Sequence, residues 1–314
     1  MLGNLLFSIN ISLPLFLMMG LGYLLMRKGM FTDDYMARTT NLLYYIMVPA
    51  KLFLDTANID LASAFDGRYA AVALAGGMLQ FAVAWCCGNL FCRDRRKQSA
   101  FSHACFRGNL VYLGMTLLQN IFGTEEIATF PVMLAVILPM YNIQGVILMS
   151  VKENSGKLEL RKILFGILKN PIILAILAGL PFAYFHIELP FLITKCCTYM
   201  GNATSGLALL LVGSSFNLGA ARSDKGLLGK ISVIKLLVMP AIWAVLAILA
   251  GLTNAQIVTL TIVGAIPAGT NVYIVTDKMG GDGTLAVSAL VITQLASLFT
   301  MTGIIFLLRS FGLV

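Results

Sequence analysis

From Leu5 to Met26 the chain runs without a charged side chain, and comparable stretches recur to its C-terminal end. A helix that spans the hydrocarbon core of a bilayer needs about 20 apolar residues, so runs of this length belong in lipid. The composition agrees. Of 314 residues, 59% are hydrophobic and 11% are charged, and the mean hydropathy is +0.88. A soluble domain is about 45–50% apolar and about 25% charged. Too few charges exist here to cover a surface facing water, and the apolar content is far above that of a disordered chain. The sequence reads as an all-α polytopic membrane protein with no room for a soluble domain.

Apolar windows between polar breaks predict ten transmembrane helices, near 5–26, 36–54, 69–91, 101–122, 128–150, 163–185, 190–216, 231–250, 255–276 and 285–308. The connections are short, so the positive-inside rule applies to each. Odd-numbered loops carry Arg27, Lys28 and Arg38; Arg93, Arg95, Arg96 and Lys97; Lys152, Lys157, Arg161 and Lys162; Arg222, Lys225 and Lys230; and Lys278. Even-numbered loops and the C-terminal end hold only Arg68, Lys195 and Arg309. The odd loops are therefore expected in the cytoplasm, and both termini on the non-cytoplasmic side of a cell (inner) membrane. An even number of spans agrees with that placement. Met1-Leu2-Gly3-Asn4 carries no basic residue, so the first run reads as a retained span and not a cleaved signal. The net charge of +8 follows from basic loops and calls for no nucleic acid. The six cysteines lack ligand spacing with the two histidines and read as packing residues.

The polar stretch at 153–162 divides the chain into 1–152 and 163–314, five spans on each side. Five is odd, so homologous halves would have to be inverted, which is a transporter architecture with its binding site in broken helices near mid-membrane. The fourth span contains Arg107-Gly108-Asn109 and Gly114 and ends at Gly123; the ninth contains Pro267-Ala268-Gly269-Thr270-Asn271 and ends at Gly280-Gly281. Aligning Gly123 with Gly281 sets Asn109 opposite Pro267. Proline removes a backbone donor, and glycine tolerates unwound geometry. Matched interruptions at similar depth predict that helices 4 and 9 are both broken, although Gly and Pro also serve simply to kink or pack membrane helices.

Several stretches taken together resemble the auxin efflux carrier family: Asn41 through Val48-Pro49-Ala50 and Leu52-Phe53, Phe106-Arg107-Gly108-Asn109 to Gly114, Tyr141-Asn142, Lys169-Asn170-Pro171, Leu207-Ala208-Leu209 with Gly213, Lys235 with Pro240, and Ala265 to Gly269. The resemblance covers essentially the whole chain and includes plant auxin exporters and bacterial carriers of malonate and related acids. It implies a fold like that of bile-acid transporters and sodium/proton antiporters, with two inverted five-helix repeats whose helices 4 and 9 cross beside the substrate. It further implies a small organic anion and the bilayer as partners, leaves a homodimer open, and calls for no cofactor, coupling to H+ or Na+ being undecided. Asn109 and Gly114 match the first crossover, and Pro267, Gly269, Thr270 and Asn271 the second. Thr116 and the Ser205-Gly206 region stand where relatives often carry proline, and Lys51 where they carry an apolar residue.

The candidate substrate-binding residues are then Arg107, Gly108, Asn109, Tyr112, Gly114, Pro267, Ala268, Gly269, Thr270, Asn271, Asn142, Gln144 and Pro49. Asn109 and Asn271 could bind solute or cap broken backbone. Arg107, in the middle of its span, could anchor a carboxylate in a bidentate pair or snorkel toward the cytoplasm. Lys51 and Asp55 are one turn apart and could pair, or Asp55 could titrate during proton coupling, or Lys51 could stand in for a coupling cation. Lys235 reads as an interfacial anchor near Lys230. Asn41, Gln80, Asn202, Ser205 and Gln294 could complete a cavity or join helices. No nucleophile–base arrangement or metal cluster is visible, so an enzyme is not expected. The reading is a secondary carrier working by alternating access, with a channel or a solute sensor as the alternative.

Overall fold

The computed structural model describes residues 1–58, 66–123, 129–152, 169–216 and 224–314. The linker expected at 153–162 and the start of the sixth span lie outside the described residues. Regular structure among the described residues is helical, apart from one isolated backbone bridge.

Numbered after the expected spans, the first is α1 (Leu2–Arg27). The second is built from α2 (Asp33–Leu42), a π-helical turn at Leu43–Met47, and α3 (Val48–Ala57). The third is α4 (Gly67–Phe91). The fourth comprises α5 (Arg95–Phe106), an unwound segment, a π-helical turn at Leu110–Gly114, and α6 (Met115–Phe122). Next come α7 (Thr129–Lys152), α8 (Pro171–Tyr184) and α9 (Phe191–Ser214). The eighth span joins α10 (Lys225–Val233) through a π-helical turn at Ile234–Val238 to α11 (Met239–Leu249). The ninth consists of α12 (Asn254–Ala265), a break, and α13 (Thr270–Lys278), and α14 (Gly283–Ser310) follows.

Among the described residues, six segments are long and apolar enough to cross a membrane: Leu2–Arg27, Gly67–Phe91, Met133–Lys152, Phe191–Ser214, Lys225–Leu249 and Gly283–Ser310. Shorter apolar helices cover Leu110–Phe122, Pro171–Tyr184 and Asn254–Ala265. Expected spans four and nine fall short of that length because each is broken, whereas span two is helical from Asp33 to Ala57 but too polar to be counted. The second and eighth spans each contain a π-helical turn with a local cause. The π turns end immediately before Val48-Pro49 and Met239-Pro240. A proline ring crowds the carbonyl four residues back and has no N–H to offer it, and one extra residue in the turn relieves both problems.

Many helices start at side-chain caps that fit short loops. Thr32, Asp66, Asp94, Asn170, Asp224 and Asp282 each accept a backbone N–H, and Thr253 with Gln256 forms a reciprocal capping box. The exposed faces are apolar, as lipid requires. On α1, Leu5, Leu6, Leu13, Leu17, Leu21 and Leu24 point outward, while Ser8, Ser12 and Gly22 are buried. Small residues bring helices close. A Cβ on Gly22 would overlap the Leu210 carbonyl of α9, and one on Gly213 would overlap that of Met19 on α1.

Contacts sort the helices into two groups. One consists of α1, α2, α3, α8 and α9; the other of α4, α5, α7 and α10 to α14, with α14 also touching α1 and α7 touching α3 and α8. The second group has a polar centre. Gln80 of α4 donates to the Phe106 carbonyl and to Tyr141 Oη, and it accepts from Trp243 Nε1 of α11. Trp243 is fully buried against positions that have no room for a Cβ at Gly76 and Gly264.

Candidate functional site

The two unwound segments meet. α5 ends at Phe106, and Arg107 is extended, at φ −89° and ψ 108°. α12 ends at Ala265, and Ile266 and Gly269 are likewise extended. Gly108 and Ala268 form an antiparallel bridge, with the Asn109 N–H donating to Pro267 O at 2.9 Å and the Gly269 N–H to Arg107 O at 3.3 Å. Small residues permit this approach. A Cβ on Gly108 would stand 3.2 Å from Ile266 O, and one on Gly269 would stand 3.3 Å from Asn109 Cα.

Unwound backbone at membrane depth has no water to satisfy it, and side chains of neighbouring spans take that role. Gln80 serves Phe106 O; Lys235 Nζ donates to Gly264 O at 3.0 Å; Thr293 Oγ1 accepts from the Ala268 N–H at 3.2 Å; and Gln294 Nε2 donates to Ala268 O at 3.3 Å. This corrects the expectation for Lys235. It is completely buried and holds the C-terminal end of α12, where a cation suits the helix dipole, instead of anchoring at the interface. Gln80 and Gln294 likewise hold backbone.

Beside the bridge lies a cavity of about 230 Å³. Arg107, Gly108, Asn109 and Tyr112 line it from the fourth span, Asn142 and Tyr141 from α7, and Gly269, Thr270 and Asn271 from the ninth. Its other wall comes from the opposite helix group: Thr40, Asn41, Tyr44 and Tyr45 of the second span, with Asn170 and Ile172 of α8. No Asp or Glu is among these lining residues. An adjoining, largely apolar cavity of about 320 Å³ shares Thr40, Tyr112, Thr270 and Ile274 with the first.

Arg107 does not snorkel. It is 7% exposed; Nη2 donates to Asn142 Oδ1 at 2.8 Å and Nη1 to Tyr141 O at 3.4 Å. Neither asparagine caps a helix. Asn109 stands at the start of the second π turn, where its carbonyl accepts the N–H groups of Leu113 and Gly114, but its side chain makes no cap bond. It is 6% exposed, and Nδ2 has no partner. Asn271 lies in the first turn of α13, whose preceding residue Gly269 also provides no side-chain cap. Two half-helices therefore begin at the cavity with their first N–H groups uncapped, which favours negative charge there.

Other expected residues lie outside the cavity. Gly114 packs against Ile266, and Pro267 and Ala268 belong to the paired backbone. Gln144 donates to Gly77 O at 3.1 Å. Pro49 shapes the second span without lining the cavity. Lys51 and Asp55 pair at 3.2 Å, and the lysine stem lies against Gly201 of α9. Ser205 donates to Gln119, and Asn202 is exposed. Sequence reasoning missed Thr40, Tyr44, Tyr45, Tyr141 and Asn170 as lining residues. Asn170 sits in a stretch that carried the family resemblance, but the pair Tyr44-Tyr45 reads from sequence as ordinary apolar span.

The chain matches the model of a family described as membrane transport protein over residues 7–305. It is 24% identical over 310 residues, covering 96% of each chain, to a protein of Rhizobium meliloti (strain 1021) named "Putative malonate transporter". A family match of that extent, on a chain with six membrane-length apolar segments among its described residues, gives the identity: this multi-pass membrane protein belongs to the membrane transport protein family of auxin efflux carriers.

Proposed function

We propose that the protein is a secondary transporter of a small organic anion, a carboxylate of the malonate or auxin kind, working by alternating access where spans four and nine meet. In this reading ten spans form two inverted five-helix halves, and both termini lie on the non-cytoplasmic side of the cell (inner) membrane. The observation that carries the reading is Asn109 Nδ2, a buried donor without a partner, in a cavity that also holds Arg107 and no described carboxylate. A buried unpartnered donor costs about 1–3 kcal/mol, and an anion would satisfy it together with the guanidinium and the uncapped half-helices. The cavity lies between the two helix groups, so a rocking motion of one against the other would expose it to each side in turn.

Counterflow in proteoliposomes tests this. Malonate is the first probe, because the relative named above is described by it. Saturable exchange of labelled for unlabelled malonate, lost in Asn109→Ala with folded protein retained, is the expected result. A steady conductance without counterflow would instead identify a channel, and binding without flux a sensor.

A further inference from the structure

His103 lies one helical turn before Arg107 on α5 and is completely buried. Its Nδ1 pairs with Thr276 Oγ1 of α13 at 3.0 Å, so the ring ties the fourth span to the ninth on one side of the bridge. Nε2 has no partner, and a buried ring nitrogen in that state calls for an explanation. Across from it stands Gly145 of α7. A Cβ built there would lie 3.5 Å from His103 Nε2 and 3.6 Å from Arg107 Nη1, ordinary contact with both. The bare glycine thus leaves room for a methyl group between imidazole and guanidinium.

We propose that His103 accepts a proton at Nε2 when an organic anion settles on Arg107, so that anion binding and proton uptake are one linked event. The inference rests on the anion site proposed above and adds the coupling ion and its residue. Burial in an interior of low dielectric opposes an imidazolium first, and the guanidinium one turn away opposes it further by like charge. An anion on Arg107 removes the like-charge part and supplies a counter-charge against the cost of burial. Linkage then works both ways: the anion raises the proton affinity of His103, and a falling pH tightens anion binding. The chemistry is a single proton transfer from water. The step requires the tautomer in which Nδ1–H donates to Thr276: the Nε2 lone pair then forms the new N–H bond, and hydroxide is left to the solvent.

The surroundings isolate this pair. Arg107 is the charge that bears on the His103 ring. On the elements packed against α5, Arg68 and Cys86 of α4, Tyr273, Asp277 and Lys278 of α13, and Lys225 and Lys230 of α10 are exposed. Tyr141 and Lys152 of α7 bond Gln80 and Gln98, Lys235 bonds Gly264, and Arg309 of α14 stacks on Phe7. Tyr69 and Cys87 complete α4 and carry no charge near neutral pH. Asp55, the carboxylate considered for coupling from sequence, is paired with Lys51 away from the cavity.

The test is calorimetric titration of malonate into purified protein, in buffers of different ionisation enthalpy, between about pH 6 and pH 8, where an imidazole ordinarily titrates. The wild type is expected to take up close to one proton per malonate and to bind several-fold tighter at the lower pH. His103→Gln, which keeps a donor for Thr276, is expected to bind with no proton uptake and a flat pH profile. Gly145→Ala guards against a folding artefact. Its methyl fits at ordinary contact distance and alanine suits a helix better than glycine, yet it fills the space beside Nε2 and is expected to suppress uptake. Malonate binding by the wild type without proton uptake, or uptake unchanged in His103→Gln, overturns the proposal. Absence of any malonate binding overturns the anion reading of the site itself, and the two failures are distinct.

Discussion

Gly108 and Ala268 face each other across an antiparallel bridge, and that contact joins the fourth span to the ninth at the point where both helices stop. The Asn109 N–H on Pro267 O and the Gly269 N–H on Arg107 O close it from both sides. Everything assigned to the site follows from this pairing. It spaces the half-helices, turns their uncapped ends toward one cavity, and sets Arg107 beside Asn109.

The close packing at the bridge predicts a suppressor. A Cβ on Gly114 would lie 2.5 Å from Ile266 Cδ1, the end of a flexible side chain. Gly114→Ala should cost about 1–3 kcal/mol by overpacking. Adding Ile266→Val, which deletes that methyl, should recover most of the loss in chemical denaturation of detergent-solubilised protein. No recovery would mean that the backbone, not Ile266, sets the spacing.

Gly22 should behave differently. There the obstacle is the Leu210 backbone of α9. Gly22→Val should destabilise by at least the same 1–3 kcal/mol, and Leu210→Ala should give no rescue, because truncating a side chain leaves the obstructing carbonyl in place. Rescue in thermal unfolding would refute backbone-to-backbone packing between α1 and α9.

Lys235 tests how the end of α12 is held. Lys235→Met leaves Gly264 O without its donor, an expected cost of about 1–3 kcal/mol. Lys235→Gln keeps an N–H and should lose less. If Met proves more stable than Lys, burying the ammonium costs more than its bond returns.

At the proposed anion site, Asn109→Ala removes a donor to a charged ligand, worth about 1.5–3 kcal/mol or roughly 10- to 100-fold in affinity. Asn109→Asp should be worse, since it replaces a donor with a carboxylate facing the ligand. Equal affinities of the two variants in a carboxylate titration would remove Asn109 from the site.

The Lys51–Asp55 pair predicts a near-silent double variant. Its members are partly buried and apart from the cavity. Lys51→Met should destabilise more than Lys51→Met with Asp55→Leu, because the single change leaves a carboxylate without its partner. Counterflow KM should be unchanged in the double variant. A large change there would return the pair to the transport mechanism.

How much of this was legible in the sequence varies by element. The breaks in spans four and nine could be read from Arg107-Gly108-Asn109 and Pro267-Ala268-Gly269 because Gly and Pro act on their own backbone. Span two carries Pro49 yet stays helical from Asp33 to Ala57, the proline being accommodated by the π turn at Leu43–Met47, a feature that hydropathy does not reveal. Lys235 reads from sequence as an interfacial residue because Lys230 is near it in the chain, whereas its partner Gly264 lies on another span. His103 carried only a weak sign, its one-turn spacing from Arg107, and its meaning depends on Gly145 and Thr276 from two further helices.

The sequence by itself determined that the chain lives in a bilayer, roughly where apolar segments begin and end, and which backbone positions cannot remain helical. These follow from side-chain hydropathy and from local steric rules, which need no knowledge of neighbours. Tertiary structure alone decided which polar groups hold the breaks and which are left facing a cavity. In an apolar interior every unwound N–H and C=O must find a partner, and Gln80, Lys235, Thr293 and Gln294 arrive from spans distant in the chain to supply one. Among the buried donors left unpartnered after that pairing, Asn109 Nδ2 belongs to a residue that lines the cavity, and it points to function.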